Sequence, residues 1–523
     1  MKNILTCLML LVPFSIVFSQ QSIQVEGEVS GTWDVDTVYV VGNLVVPESQ
    51  KLTILSGSVI QFNGFYSVDI RGSILAQGSE GDSIKFTVAD TTGFYNFDLK
   101  EGCWNRITLA NQSEDSDSTI FEYCRFEYSK TDTFQLHGGA FYIEKSSKIR
   151  ISNSVFSHLR SFENGGAIYL NSSRAIIRQN IFEHIVAGTK EHWGYGGAIC
   201  GVSSQPEISR NIFRNNKSTG IGGACSFEFE IPILYANKFE NNFSALGGAL
   251  GFLRATTGGV VSNNICANNS STFFGGAIAM VAASPVLVNN TLVNNSTIYG
   301  GGIYCNDGSS PKIYNTVLWG NVAAAGYGMQ VFIIDGVSQP EFYNSVFEHG
   351  ASDFSGSGFT GVYSNCLESD PLFSNSPETP FALTEDSPCI DSGLTEITNF
   401  QLPLYDLLGL PRVSNGNVDV GAYEFQWPNQ VLVSENITHI PLSIHYSSNS
   451  GNLHLFIKLP SSNDVTVEFF DIRGSMVHKQ NFENCAAGEI ELRIQNFKQK
   501  GSGLYICRLV SSGKVSTQKF EIF

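Results

Sequence analysis

The chain has 523 residues, 42% of them hydrophobic and only 15% charged, with 51 Gly, 38 Phe and 5 Met. A chain this long exceeds one compact core unless it is elongated, and its composition favours strands and turns over helices. A formal net charge of -17 with no basic run argues against nucleic acid and anionic membranes as partners.

The first 22 residues read "MKNILTCLMLLVPFSIVFSQQS". One basic residue (Lys2), an apolar run from Ile4 to Phe18 and then small and polar residues predict a signal peptide over residues 1–19. Cleavage is expected after Ser19, with Val17 and Ser19 at the small-residue positions. The run is short for a membrane span and contains Pro13, and Cys7 lies too early for a lipoprotein cysteine. No later segment is long and apolar enough to cross a bilayer. The expectation is an exported chain, secreted or held at the outer surface after passing the periplasm.

Residues 22–110 alternate apolar positions between turn signals, as in "VYVVGNLVVPESQKLTILSGSVIQF" and "VDIRGSILAQGSEGDSIKFT". A repeat follows. The residue that ends each "NIF"-like triplet falls at Phe126, Phe156, Phe182, Phe213, Phe239, Cys266, Leu292, Leu318 and Phe347, in steps of 30, 26, 31, 26, 27, 26, 26 and 29. Five residues earlier every unit has an apolar residue, from Phe121 to Phe342. Asn recurs two before the marker (180, 211, 237, 264, 290) and three after it (216, 242, 269, 295, 321). Glycine pairs share the register, from Gly138-Gly139 to Gly275-Gly276 and Gly301-Gly302.

A period near 26 with β-rich runs and fixed turn residues predicts a parallel β-helix: one coil per unit, about three short strands per coil. Stacked Phe, Ile and Val fill a narrow core, and Asn columns form amide ladders. The glycine pair serves a turn that needs positive φ or close backbone approach. Cys225 and Cys266 sit in these columns and read as buried apolar fillers. None of the ten cysteines after residue 19 has C-x-x-C spacing, so no structural zinc site is expected.

The opening coils and "CWNRITLA" (Cys103–Ala110) resemble those of bacterial right-handed parallel β-helix proteins, the pectin lyase-like solenoids. "GGAI" at Gly196–Ile199 and Gly275–Ile278, with "FxxN" at Phe213–Asn216 and Phe239–Asn242, resembles the repeats of polymorphic outer-membrane proteins. "SDPLFSNSPETPFALTEDSPCIDSG" and "DLLGLPRVSNGNVDVGAYEF" resemble the closing segment of such rods, which implies a cap over the last coil. The expected layout is β-helix over 20–360, closing coil and cap over 361–427, and a linker over 428–439.

From about Ile440 the register is lost and alternating strands joined by Gly/Ser turns predict a small β-sandwich over 440–523. It resembles the C-terminal sorting domain of the type IX secretion system, on "VEFFDIRGSMV" (Val467–Val477), "GLYICRLVSSGK" (Gly503–Lys514) and Lys519. The resemblance assigns its motif to Asp471, Gly474, Gly503, Tyr505, Lys514 and Lys519, and implies the type IX machinery as partner. The usual "PNP" entry is replaced by "PLSIHYSSNSG", and the chain ends "KFEIF" rather than in a basic tail. Cys485 and Cys507 fall inside this module, where pairing stays open.

For chemistry, the longest turn insertion is "AGTKEHWGYGG" (Ala187–Gly197). Lys190, Glu191 and His192 are its candidates for proton transfer, and Trp193 for stacking on a sugar ring. Tyr142, Tyr169, Phe273 and Phe274 are candidate exposed aromatic contacts. Asp34, Asp36 and the Glu114–Ser118 run read as solvated turns rather than calcium ligands, and no cofactor is indicated. The glycine pairs are not phosphate loops, having no G-x-x-x-x-G-K. Two readings result: a non-catalytic, adhesin-like β-helix that binds glycans or surfaces, and a polysaccharide lyase or glycoside hydrolase acting on an extended acidic glycan along the rod.

Overall fold

The computed structural model describes residues 21–112, 118–374, 376–397, 400, 402–426, 442–447, 452–459, 462–471, 475–485, 488–494, 503–511 and 514–522. The expected signal peptide, the linker, most of the acidic 114–118 run and Gly474 lie outside the described residues.

The structure is all-β. The described residues from 22 to 364 form a right-handed parallel β-solenoid, and the aligned columns of the sequence are its hydrogen-bonded registers. Phe182, Phe213, Phe239, Cys266, Leu292, Leu318 and Phe347 pair in succession on neighbouring coils. So do Ile177, Ile208, Leu234, Val261, Leu287, Ile313 and Phe342. A parallel strand buried on its inner face needs such apolar residues at alternate positions. Rings stack from Phe86 through Phe126, Phe156, Phe182 and Phe213 to Phe239, with centroids 4.5–4.9 Å apart.

Each central coil has four strand segments rather than three. In one coil these are Ile168–Asn171, Ile176–Arg178, Ile181–Glu183 and the two-residue Val186–Ala187. The extra short strands stack into a seven-stranded sheet at one corner. Turns are made by single residues of positive φ, such as Arg210, Ala236 and Asn263 directly before a ladder asparagine. Asn and Gly dominate such positions because they tolerate this region best.

The glycine pair does two jobs. Gly196 has φ 64, and a Cβ there would collide with the Ile199 carbonyl; one on Gly197 would strike the Gly223 carbonyl of the next coil. The last expected pair shifts by one residue: Gly300 has φ 71 and Ile278 pairs with Ile303, so the pair is Gly300-Gly301. Gly302 takes the alanine position of "GGAI".

The closing segment lies elsewhere than expected. The end of the rod is plugged by rings, Phe354, Phe359 and Tyr363, packed against Phe342 and Phe347. The described residues between 370 and 425 instead strap the flank of the coils. Leu407, Ala422 and Tyr423 pack on Ala236, Ile265, Ala267 and Val293, while Asn263 donates to the Tyr405 carbonyl and Asn289 to that of Asp419. The flank offers apolar side chains and free turn amides, which the strap satisfies. Within it, buried Arg412 donates to the Gly421 and Ala422 carbonyls and lies 3.6 Å from Glu424.

The C-terminal module is a sandwich of a three-stranded and a four-stranded antiparallel sheet. Its core joins Leu453, Leu455 and Leu492 of one sheet to Val465, Val467, Phe469 and Leu509 of the other. All ten cysteines after residue 19 are free; Cys225 and Cys266 are buried in the rod, and Cys485 and Cys507 are not bridged.

Candidate functional site

Two surface regions depart from plain coil geometry. The first is a corner where three loops extend from the rod. Lys130 holds the first of them by donating to the carbonyls of Gly93, Phe94 and Asn96 at 3.3, 3.0 and 2.7 Å. Asp132 shapes the second by accepting from the Phe134 and Gln135 N–H groups. The third is the "GTKEHWGY" insertion. Thr189 Oγ1 accepts from Glu191 and His192 N–H, and Thr219 Oγ1 accepts from Gly194 N–H while donating to the His192 carbonyl.

Lys190, Glu191, His192 and Trp193 are exposed at this tip, Trp193 at 58%. Among the described residues, Lys190 and Glu191 make no side-chain hydrogen bond or ion pair. His192 does turn inward: its Nδ1 lies 3.7 Å from Glu163 Oε1 and its ring 4.7 Å from Phe162. His137 approaches the other Glu163 oxygen at 3.8 Å and accepts at Nδ1 from the Asn164 N–H. Burial, then the nearby Arg106, pushes the His137 imidazole down to about 4. It is therefore neutral near pH 7.

Tyr142 and Tyr169 face outward from neighbouring coils, yet Tyr169 is only 8% exposed. Its ring is stacked between His137 at 4.6 Å and Tyr142 at 5.6 Å, and the Arg106 guanidinium lies 4.5 Å over Tyr142. The expectation of an exposed contact at Tyr169 is thus corrected. At several coils the residue before the glycine pair folds over the outward residue of the next coil, as Ile221, Phe274 and Tyr299 do, and here that cover is His137.

The same rule builds the second region. The outward column runs Tyr142, Tyr169, Cys200, Ser226, Gly251, Ala279, Tyr304, Phe332. Small members leave room for aliphatic covers; a Cβ on Gly251 would meet Ile221. Towards the far end both layers turn aromatic. Phe274 stacks 4.6 Å from Tyr304, and Tyr299 lies 5.2 Å from Phe332. Along the rod, Phe274, Tyr299 and Tyr327 follow one another at 5.5 and 6.2 Å. Phe273 (47%) and Tyr327 (56%) are exposed beside them, whereas Phe274 is half-buried.

Of these residues, the sequence pattern singled out Tyr142, Tyr169, Lys190–Trp193, Phe273 and Phe274. It missed Arg106, His137, Glu163, Tyr299, Tyr304, Tyr327 and Phe332. The pre-glycine column, read across units, is the signal that would have found His137, Tyr299 and Tyr327. Among the described residues no group of three or more His, Cys, Asp or Glu is arranged to hold a metal ion.

In the C-terminal sandwich, Asp471 pairs with Tyr505 on the neighbouring strand and accepts at Oδ1 from the Ser475 N–H. Tyr505 is buried in the core, and Gly503 opens its strand. Lys514 and Lys519 lie on the last strand, opposite Ser511 and Ile506.

Compared with known families, residues 84–250 match the right handed beta helix region and residues 449–522 match the secretion system C-terminal sorting domain. No curated protein matches the chain. The chain is therefore a right-handed β-helix protein that carries a type IX sorting domain, and it is exported to the cell surface or beyond. Among the described residues no helix is long and apolar enough to cross a membrane.

Proposed function

We propose that this exported β-helix protein is a non-catalytic, adhesin-like binder of extended glycans. The observation that carries the reading is the aromatic ladder of Phe274, Tyr299 and Tyr327, with Phe273 exposed beside it. Exposed aromatics gathered along a ladder on a secreted rod cost solubility unless something covers them. Aromatic faces with phenolic hydroxyls suit a ligand that is apolar on its ring faces and polar at its rim, as sugars are. Parallel coils repeat every ~4.8 Å, so one chain can engage several units of an extended polymer.

The test is binding of the full chain to a panel of immobilised polysaccharides. Retention of at least one glycan, lost in the Phe273→Ala/Tyr327→Ala variant, is the expected result. Retention unchanged in that variant would move the site off the ladder.

The approach of His137 and His192 to Glu163 favours the second reading, a polysaccharide lyase or glycoside hydrolase. Proton transfer at that group would need Glu163 or His192 as base. Shortened or unsaturated product, lost in Glu163→Gln, is its signature.

A further inference from the structure

The loop corner brings three cationic side chains together. The chain as a whole carries -17, yet Arg106, Lys130 and Arg160 gather here on adjoining turns. Among the described residues none of the three pairs with a carboxylate. The neighbouring acids act on these cations through space only: Asp132, which lies 2.9 Å from Lys100 and caps its own turn, on Arg106, and Glu101 on Lys130, while Glu163 lies against His137 and His192. Arg106 donates to the His137 carbonyl at 2.7 Å and Arg160 to the Tyr95 carbonyl, while the Nε of each is buried without a partner. Their guanidinium groups rest 4.5 Å over Tyr142 and 4.3 Å over Phe97. Ring faces and carbonyls offset part of the cost of grouping like charges, but they do not neutralise them.

A second feature sits around these cations. Each of the three loops ends in an exposed ring: Tyr95 at 73%, Phe134 at 88% and Trp193 at 58%. Three protruding aromatics on loops beside guanidinium groups that have no ion-pair partner match a ligand with flat apolar faces and negative charge.

We infer that this corner is a subsite for an anionic polysaccharide, with acidic groups facing Arg106 and Arg160 and sugar rings against Tyr95, Phe134 and Trp193. It rests on the glycan-binding reading above but uses different residues at the other end of the repeat region. Carboxylate and sulfate ester share the required chemistry, since a guanidinium donates to either.

The experiment measures affinity of the full chain for three probes: a hexuronate polymer, its carboxyl-reduced neutral form, and a sulfated neutral polymer. The expected result is at least tenfold tighter binding of one charged polymer than of the neutral form, weakening as salt rises. The double variant Arg106→Gln/Arg160→Gln should lose that gain while keeping neutral-glycan binding at the distant ladder, which reports that it folds. Arg106→Lys/Arg160→Lys keeps the charge and should retain part of it. Preference for the hexuronate identifies carboxylate as the source, and preference for the sulfated polymer identifies sulfate. Equal affinity for charged and neutral probes, or an unchanged double Gln variant, would overturn the inference alone. Failure of the wild-type chain to bind any of the three would remove the glycan reading with it.

Discussion

Asn211 donates twice to Asn237: its backbone N–H and its Nδ2 both reach the same Oδ1 at 3.0 Å. The second Nδ2 hydrogen turns back to the Ile177 carbonyl at 2.9 Å. Asn237 repeats the pattern on Asn264, and Asn264 on Asn290. A parallel column runs from Asn216 through Asn242, Asn269 and Asn295 to Asn321, where Gln330 takes the last donor. A buried turn must satisfy its own amides, and here each coil satisfies those of the one before.

Asn237→Ala should therefore orphan two donors of Asn211 in a buried turn, at about 1–3 kcal/mol per group. Lys238→Ala, next door and half-buried, should cost within about 0.5 kcal/mol. Urea denaturation compares them; equal midpoints for the two variants would remove the ladder as a source of stability.

Gly196→Ala and Gly308→Ala separate turn strain from coil packing. Both glycines have positive φ, 64 and 77, but only at Gly196 would the Cβ meet a backbone oxygen; at Gly308 nothing lies within 4 Å. Gly308→Ala should cost about 1–2 kcal/mol, the price of a left-handed residue. Gly196→Ala should exceed that clearly and reduce the yield of folded protein. Similar thermal midpoints for both would contradict this division.

Acid and base should act on opposite parts of the molecule. His137 is held down to about 4, so between about pH 6.5 and 4 the unfolded chain takes up a proton that the folded corner refuses. Stability at the corner falls as pH drops through that window. In the strap, burial lifts Glu424 to about 9 against the pull of Arg412, and lifts Asp419 to about 6. Folded, these carboxyls keep protons that the unfolded chain releases, so strap stability falls as pH rises from about 4.5 towards 9. Site-resolved hydrogen exchange, corrected for intrinsic rates, should show the strap gaining protection on acidification from pH 9 to 6. The Asn164 amide should lose it from 6.5 to 4. Glu424→Gln should flatten the first trend and His137→Phe the second.

The coil registers were legible because one physical demand repeats: each core column admits only apolar residues and each ladder turn favours Asn. Ile208 and Phe213 carry that signal in one unit, and apolar residues stand at the same two positions in the others. The strap was recognised as a segment but misplaced. Nothing in "DLLGLPRVSNGNVDVGAYEF" says whether it faces the end of a rod or the flank amides of Asn263 and Asn289. The corner was half legible. The 31-residue step exposed the insertion at Lys190–Trp193, but Arg106, His137 and Glu163 come from earlier coils at unremarkable positions. Only stacking brings them together, and sequence spacing does not encode which insertions share a corner.

Passage from the periplasm to the surface should depend on the C-terminal sandwich. Deleting residues 449–522 is expected to strand the rod in the periplasm, as read by fractionation. Surface delivery of the truncated chain would contradict the sorting role of that module.

The central claim is that the rod holds a glycan without breaking it. The direct measurement incubates the full chain with an extended polysaccharide that it retains, and follows bound fraction and polymer length together. The account predicts retention that depends on Phe273 and Tyr327, with polymer length unchanged. Progressive shortening or unsaturated ends, abolished by Glu163→Gln, would contradict it.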